Sequence, residues 1–214
     1  MEWSSVLSLG TLSARLNVSA ASDVGNVRAV NEDSFLAGPS SFSLRTGWAA
    51  TPTATGQAQR SRGSLRPGHQ RETSTTSSAV LESISEANAA VRALTPADAR
   101  DDAIAGTTVT GIGLLESPAG GSANWIAFNV GDSRIYSWQA DHLQQITVDH
   151  SAVQELVDLG QITRAEADVH PQRNVVTRAM GVDDDPEADV WLIPAARPTT
   201  VPPVLGRAHQ GTLG

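Results

Sequence analysis

The stretch Ser22-Asp-Val-Gly-Asn-Val-Arg-Ala-Val-Asn-Glu-Asp-Ser-Phe-Leu36 decides how the rest of the chain is read. It follows an alternating run in which Leu12, Ala14, Leu16, Val18 and Ala20 are separated by Ser13, Arg15, Asn17 and Ser19. A period of two over that length predicts a half-buried strand. The strand delivers Asp23 and Gly25 as a turn, then a lone cation, Arg28, then adjacent carboxylates, Glu32 and Asp33. Carboxylates are preferred ligands of hard cations such as magnesium and manganese. Arginine offers phosphate oxygens a planar fork. One cation beside two acids suits a site that holds metal and phosphate together, although a surface turn of solvated charges has the same composition.

Outward from this stretch the chain alternates between patterned and unpatterned segments. Met1–Thr11 reads as a loose polar start and Ala37–Ser41 as a small turn. From Ser43 to Ser78 no period persists, and Gly47, Gly56, Gly63, Gly68, Pro52 and Pro67 interrupt the segment. Such a composition buries too little to offset its ordering entropy, and a loop this long is unusual inside a compact domain. Arg60, Arg62, Arg66 and Arg71 make it basic, but no aromatic residue interleaves the arginines as a nucleic-acid arm would require. Leu81, Ile84, Asn88, Val91 and Leu94 then recur at helical spacing. Thr95-Pro96-Ala97-Asp98 reads as the start of a short second turn.

Strands are predicted over Thr107–Leu115, with Gly111 and Gly113 marking a close approach or a bulge, and over Asn124–Val130 and Arg134–Trp138 around the Gly131-Asp132 turn. Ala140-Asp141-His142 is a hairpin connection. Ser151–Gln154 and Thr163–Glu166 are capping boxes. Asp149-His150-Ser151 reads as a helix cap, and His142 and His170 as ordinary histidines. Ala188–Ile193 is a last buried strand, and beyond Pro194 the pattern fails again.

A chain of 214 residues fits one domain with a sizeable core. Its net charge of −8 and pI near 5.0 argue against a dedicated binder of nucleic acid or anionic membrane. There is no cysteine, which excludes disulfides, a thiol nucleophile and thiolate-bound zinc. No apolar run approaches the roughly 18 residues of a membrane helix, and no charged-then-apolar leader opens the chain. A soluble, cytoplasmic monomer is expected. All 15 basic residues are arginine, which with abundant Ala and Gly points to GC-rich DNA.

Asn129-Val-Gly-Asp-Ser-Arg134, Thr147-Val-Asp-His-Ser151, His170-Pro-Gln-Arg-Asn174 and Ala105-Gly-Thr-Thr108, with the opening stretch, resemble bacterial metal-dependent protein phosphatases of the PPM, or 2C-like, type. The blocks occur in the family's order and cover roughly Leu16–Leu36 and Leu81–Pro194. The resemblance implies an α+β fold, a four-layer α-β-β-α sandwich of two antiparallel sheets flanked by helices, incomplete in this chain. It implies two Mn²⁺ or Mg²⁺ ions bridged by a water that attacks phosphoserine or phosphothreonine in phosphorylated proteins, the targets of serine/threonine kinases. By the same resemblance Arg28 holds the substrate phosphate, Glu32 and Asp33 serve the metals, and Asp132 helps hold an additional, weaker metal.

Two family motifs are missing. Neither Asp-Gly-Met-Gly-Gly-His nor Ser-Asp-Gly-Leu followed by Asp-Asn is written in the chain. Back-translating Arg45–Thr53 with GC-rich codons gives CGG ACG GGA TGG GCG GCC ACG CCG ACG. Read from one base before each codon boundary, the same bases spell Asp-Gly-Met-Gly-Gly-His-Ala-Asp. Val204–Gly211, read one base after each boundary, permits Cys-Ser-Asp-Gly-Leu-Thr-Lys. The expectation is a frameshifted and truncated member. It is one phosphatase-like domain over 1–214, with residues 43–78 as an aberrant insert and 197–214 as an aberrant tail, and with impaired hydrolysis. A pseudophosphatase that binds phosphopeptides, or a decayed product, is the alternative.

Overall fold

The computed structural model of the chain describes residues 2–9, 12–22, 33–37, 41–49, 76–95, 105–115, 123–139, 141–195 and 204–207. Ten strands are placed there: β1 (Glu2–Leu9), β2 (Leu12–Ser19), β3 (Asp33–Ala37), β4 (Ser41–Ala49), β5 (Ala105–Leu115), β6 (Asn124–Val130), β7 (Ser133–Gln139), β8 (His142–Gln145), β9 (Asp189–Pro194) and β10 (Val204–Arg207). Three helices accompany them: α1 (Ser77–Arg92), α2 (Ala152–Asp158) and α3 (Arg164–Val169).

Side-chain alternation along β5 and β6 sorts the layers. Successive residues of a strand point to opposite faces. Val109 and its cross-strand partner Val130 therefore share one face with Phe128, and they pack on Ile84 of α1 and on Met180. Ile112 and its partner Ala127 share the other face, where they meet Ile135 of β7 together with Trp125, Ile146, Trp191 and Ile193. A helix thus covers one face of the central sheet and a second sheet covers the other. The central sheet has five strands in the order β3-β4-β5-β6-β9, the second has three in the order β10-β7-β8, and β1-β2 form a separate hairpin. Every strand pairing among the described residues is antiparallel, in line with the α+β expectation.

The helix predicted from Leu81, Ile84, Asn88 and Val91 is α1, capped by Thr76. Both capping residues predicted downstream cap helices. The Thr163–Glu166 box is reciprocal, whereas Ser151 accepts the Gln154 N–H but Gln154 turns its own side chain to Asp158 and Arg164.

Four expectations change and one narrows. Glu2–Leu9 is not a loose start but a strand paired along its length with β2. Ser41–Ala49 is a strand although its sequence lacks a period, because β3 and β5 supply hydrogen-bonding partners on both sides. Of the two readings of Gly111 and Gly113, the bulge is excluded, since the β5 ladder runs without a skipped residue against both neighbours. β9 is a half-buried edge strand, with Trp191 and Ile193 turned inward while Val190 and Leu192 are 40% and 65% exposed. Val204–Arg207, inside the tail expected to be unpatterned, pairs with β7. The turn read at Pro96–Asp98, and Ala50–Thr75 of the insert, lie outside the described residues. No described helix is long and apolar enough to cross a membrane.

Candidate functional site

Asp132 occupies the bend between β6 and β7, and the atoms around Gly131 fix that bend. Gly131 has φ +110°, a backbone region that side chains of L-residues rarely enter. It also lacks room for one, because a Cβ there would lie 2.4 Å from Thr108 Cγ2. The Gly131 N–H donates to His150 Nδ1 at 3.1 Å. Its carbonyl accepts from the His150 N–H at 3.0 Å and from Asn129 Nδ2 at 2.9 Å. Asn129 Nδ2 also donates to the Val148 carbonyl, while Asn129 Oδ1 is buried with no hydrogen-bond partner among the described residues. Next along the chain, the Ser133 hydroxyl is 2.7 Å from that of Thr108. This last pair ties the start of β7 to β5.

His150 is buried, and because Nδ1 accepts the Gly131 N–H its ring proton sits on Nε2. Nε2 lies 3.2 Å from Asp189 Oδ2, close but not aligned for a hydrogen bond. Burial holds the imidazole below its ordinary pKa. Nearby Arg178 acts in the same direction, and Asp189 and Asp149 act against both. Arg178 itself pairs with Asp189 Oδ1 at 2.9 Å. Beside this group, Arg134 Nε donates to both carboxylate oxygens of buried Asp149 at 2.8 and 2.9 Å, and Gln145 Nε2 donates to Asp149 Oδ1. Burial of the guanidinium disfavours its charge, but the hydrogen bonds and charge of Asp149 outweigh that cost and raise its pKa.

The strand register brings Asp33 to the same end of the sheet. Asp33 pairs with Thr46, Thr46 with Thr108, and the following residue Val109 with Val130, so that Thr108 lies level with Gly131. Three inter-strand steps of roughly 4.8 Å put Asp33 about 14 Å across the sheet from the Asp132 turn. Asp33 and Asp132 are each half-buried there. Arg28 and Glu32 lie outside the described residues.

The donor chemistry of Asp33 and Asp132 fits a hard divalent cation. Among the described residues no group of three His, Cys, Asp or Glu side chains stands close enough to hold one. Carboxylates at the two ends of a row that wide are too far apart to ligate one ion together.

Several residues at this turn were not legible as site residues. His150 reads in sequence as part of a helix cap, and that task falls to Ser151 alone. Asn129, Thr108 and Ser133 read as ordinary strand residues. The signal was their polarity at positions that alternation assigns to buried faces.

No family model matches the chain. Over 66 residues it is 46% identical to the serine/threonine phosphatase stp of Listeria innocua, a stretch that spans 31% of this chain and 26% of that relative. The PPM Ser-Thr phosphatase MsPP of Mycobacterium smegmatis, solved in complex with cacodylate, is similar over 80% of this chain and 69% of its own, at 32% identity and a TM-score of 0.59. The catalytic domain of the serine threonine protein phosphatase PstP, solved with two manganese ions, is similar over 82% of this chain and 71% of its own, at 28% identity and a TM-score of 0.59. The chain belongs to the bacterial PPM-type serine/threonine phosphatase family. Membership accounts for the two antiparallel sheets with a helix on the outer face of the larger one. The sequence match to the Listeria relative spans only about a quarter of that relative's length.

Proposed function

We propose that this PPM-type chain descends from a metal-dependent hydrolase of phosphoserine and phosphothreonine in proteins, and that its own turnover is impaired. The observation that carries the reading is the strand register that sets Asp33 and the Asp132 turn at one end of the central sheet. In this reading Glu32 and Asp33 serve the pair of Mn²⁺ or Mg²⁺ ions, and Asp132 helps hold an additional, weaker one. A bound pair of such cations lowers the pKa of water and offsets charge building on phosphate oxygens. Arg28 supplies a planar fork that orients the substrate phosphate. The buried braces around Gly131 fix the backbone from which the Asp132 carboxylate projects. The partners are phosphorylated proteins, encountered by a monomer in the cytoplasm.

The impairment follows from the two unwritten motifs. With residues 43–78 and 197–214 altered by a shifted reading frame, the acids of the family's Asp-Gly-Met-Gly-Gly-His and Ser-Asp-Gly-Leu motifs are not written in those segments. Carboxylates left near one another without cations repel and bind protons more tightly.

Hydrolysis of p-nitrophenyl phosphate in manganese tests the reading. Slow turnover abolished by Asp33→Ala supports it, and turnover unchanged by that substitution refutes it. Binding of a phosphoserine peptide without turnover identifies a pseudophosphatase, and a chain that melts without a cooperative transition identifies a decayed product. DNA sequence across codons 36–82 and 195–214 tests the frameshift. Codons that cannot spell the two motifs in the alternate frames exclude it.

A further inference from the structure

We propose that His150 is the positioning residue of the Asp132 turn: through the lone pair on Nδ1 it fixes the Gly131 peptide and thereby aims the Asp132 carboxylate. The proposal rests on the reading of Asp132 as a cation ligand.

Three observations carry it. His150 holds both polar groups of Gly131, accepting the Gly131 N–H on its ring at 3.1 Å and donating its own N–H to the Gly131 carbonyl at 3.0 Å. Gly131 is buried, so its N–H needs a partner within the protein, and its φ of +110° is a conformation that only glycine enters readily. His150 is itself fixed: it is 5% exposed, its carbonyl accepts the Thr177 N–H at 2.9 Å, and Nε2 faces Asp189.

The chemistry separates this role from that of a space-filling core histidine. A core histidine is replaced best by a residue of similar bulk. A ring acting through Nδ1 is replaced best by any side chain that presents an acceptor at the same reach. Asparagine presents its Oδ1 near the position of Nδ1, whereas leucine fills the space and accepts nothing. Glutamine carries its acceptor one atom further out, toward the position of Nε2.

The test uses the whole chain, labelled with ¹⁵N, in unmutated, His150→Asn and His150→Leu forms. Two readouts are followed: hydrogen exchange at the Gly131 amide, and paramagnetic broadening of the Asp132 and Ser133 amide signals on titration with Mn²⁺. In His150→Leu, Gly131 exchange is expected to quicken by about tenfold or more, the worth of one hydrogen bond. The Mn²⁺ concentration for half-broadening is expected to rise by a similar factor. His150→Asn is expected to follow the unmutated chain in both. Native behaviour in His150→Leu overturns the proposal, as does His150→Asn behaving like leucine. Should His150→Leu fail to fold, His150→Gln is read in its place, with the same loss expected and native behaviour overturning the proposal. An unmutated chain in which Mn²⁺ broadens neither signal refutes Asp132 as a cation ligand and the positioning role with it. That failure appears before any substitution is made, which distinguishes it from a failure of His150 alone.

Discussion

The side chain of Asn88, buried on the inner face of α1, donates to the carbonyl of Asp183 at 2.8 Å, 95 residues later in the chain. The same amide donates to the Asp184 carbonyl, and its Oδ1 accepts the Gly181 N–H at 2.7 Å. Three main-chain groups of one loop therefore depend on a single helical side chain. The Arg92–Asp184 ion pair adds a second link, from an exposed and weakly stabilising position. Asn88→Ala is expected to cost roughly 2–4 kcal/mol, because it leaves buried donors and acceptors without partners and opens a small cavity. Urea denaturation measures the loss. A change below about 1 kcal/mol shows that water replaces the amide.

Half-buried Arg134 and buried Asp149 form a second contact that cannot be removed from one side. Losing one partner strands the other charge, at a cost of roughly 3–5 kcal/mol, whereas removing both costs less than the sum. Asp149→Ala and Arg134→Leu are each expected to destabilise by about that amount, and the double variant by clearly less than their total. A double-mutant cycle by chemical denaturation checks this, and additive losses contradict it.

Gly131→Ala meets two penalties at once. The backbone conformation costs of order 1–3 kcal/mol for an alanine, and the new Cβ is driven against Thr108. A combined loss above roughly 3 kcal/mol is expected. Adding Thr108→Ser removes Cγ2 but leaves Thr108 Cβ 2.6 Å away, so relief is expected to be partial. Full rescue shows that the backbone tolerates the angle.

His150 makes stability depend on pH. Burial keeps the folded imidazole neutral below its ordinary pKa of 6.5. Between that value and the lower folded one, the unfolded chain binds more protons than the folded chain, so stability falls as the pH drops through this window. Below the folded pKa the loss levels off. Thermal melts from pH 7.5 to 5 are expected to show a decline that His150→Asn removes. An equal decline in both proteins assigns the effect elsewhere. Exposed Glu166 acts at lower pH. The backbone and side-chain hydrogen bonds of Thr163 hold its pKa below 4.5, so its contribution is lost as the pH falls past that region.

Local pattern was enough for much of the fold. The period of two in Leu12–Ser19, the helical spacing of Ile84 and Asn88, and the capping residues Ser151 and Thr163 each describe a structure set by contacts a few residues apart. β1, β4 and β10 were not readable in that way. Their backbones are held by β2, by β3 and β5, and by β7, and no side-chain period in the strand itself reports a hydrogen-bonding partner far away in sequence. The candidate site divides along the same line. The motif around Asp132 could be read directly, but the braces could not, because His150 reaches Gly131 across 19 residues and Thr108 reaches Ser133 across 25.

The sequence by itself determined the locally patterned elements, the acidic and arginine-only character of the chain, and the pair Glu32 and Asp33 offered as ligands, since these follow from residue type and spacing. Tertiary structure alone decided that Asp33 and the Asp132 turn share one sheet end and that a buried imidazole grips Gly131. Strand register and burial are set by pairings between distant segments, and no local run of residues encodes them.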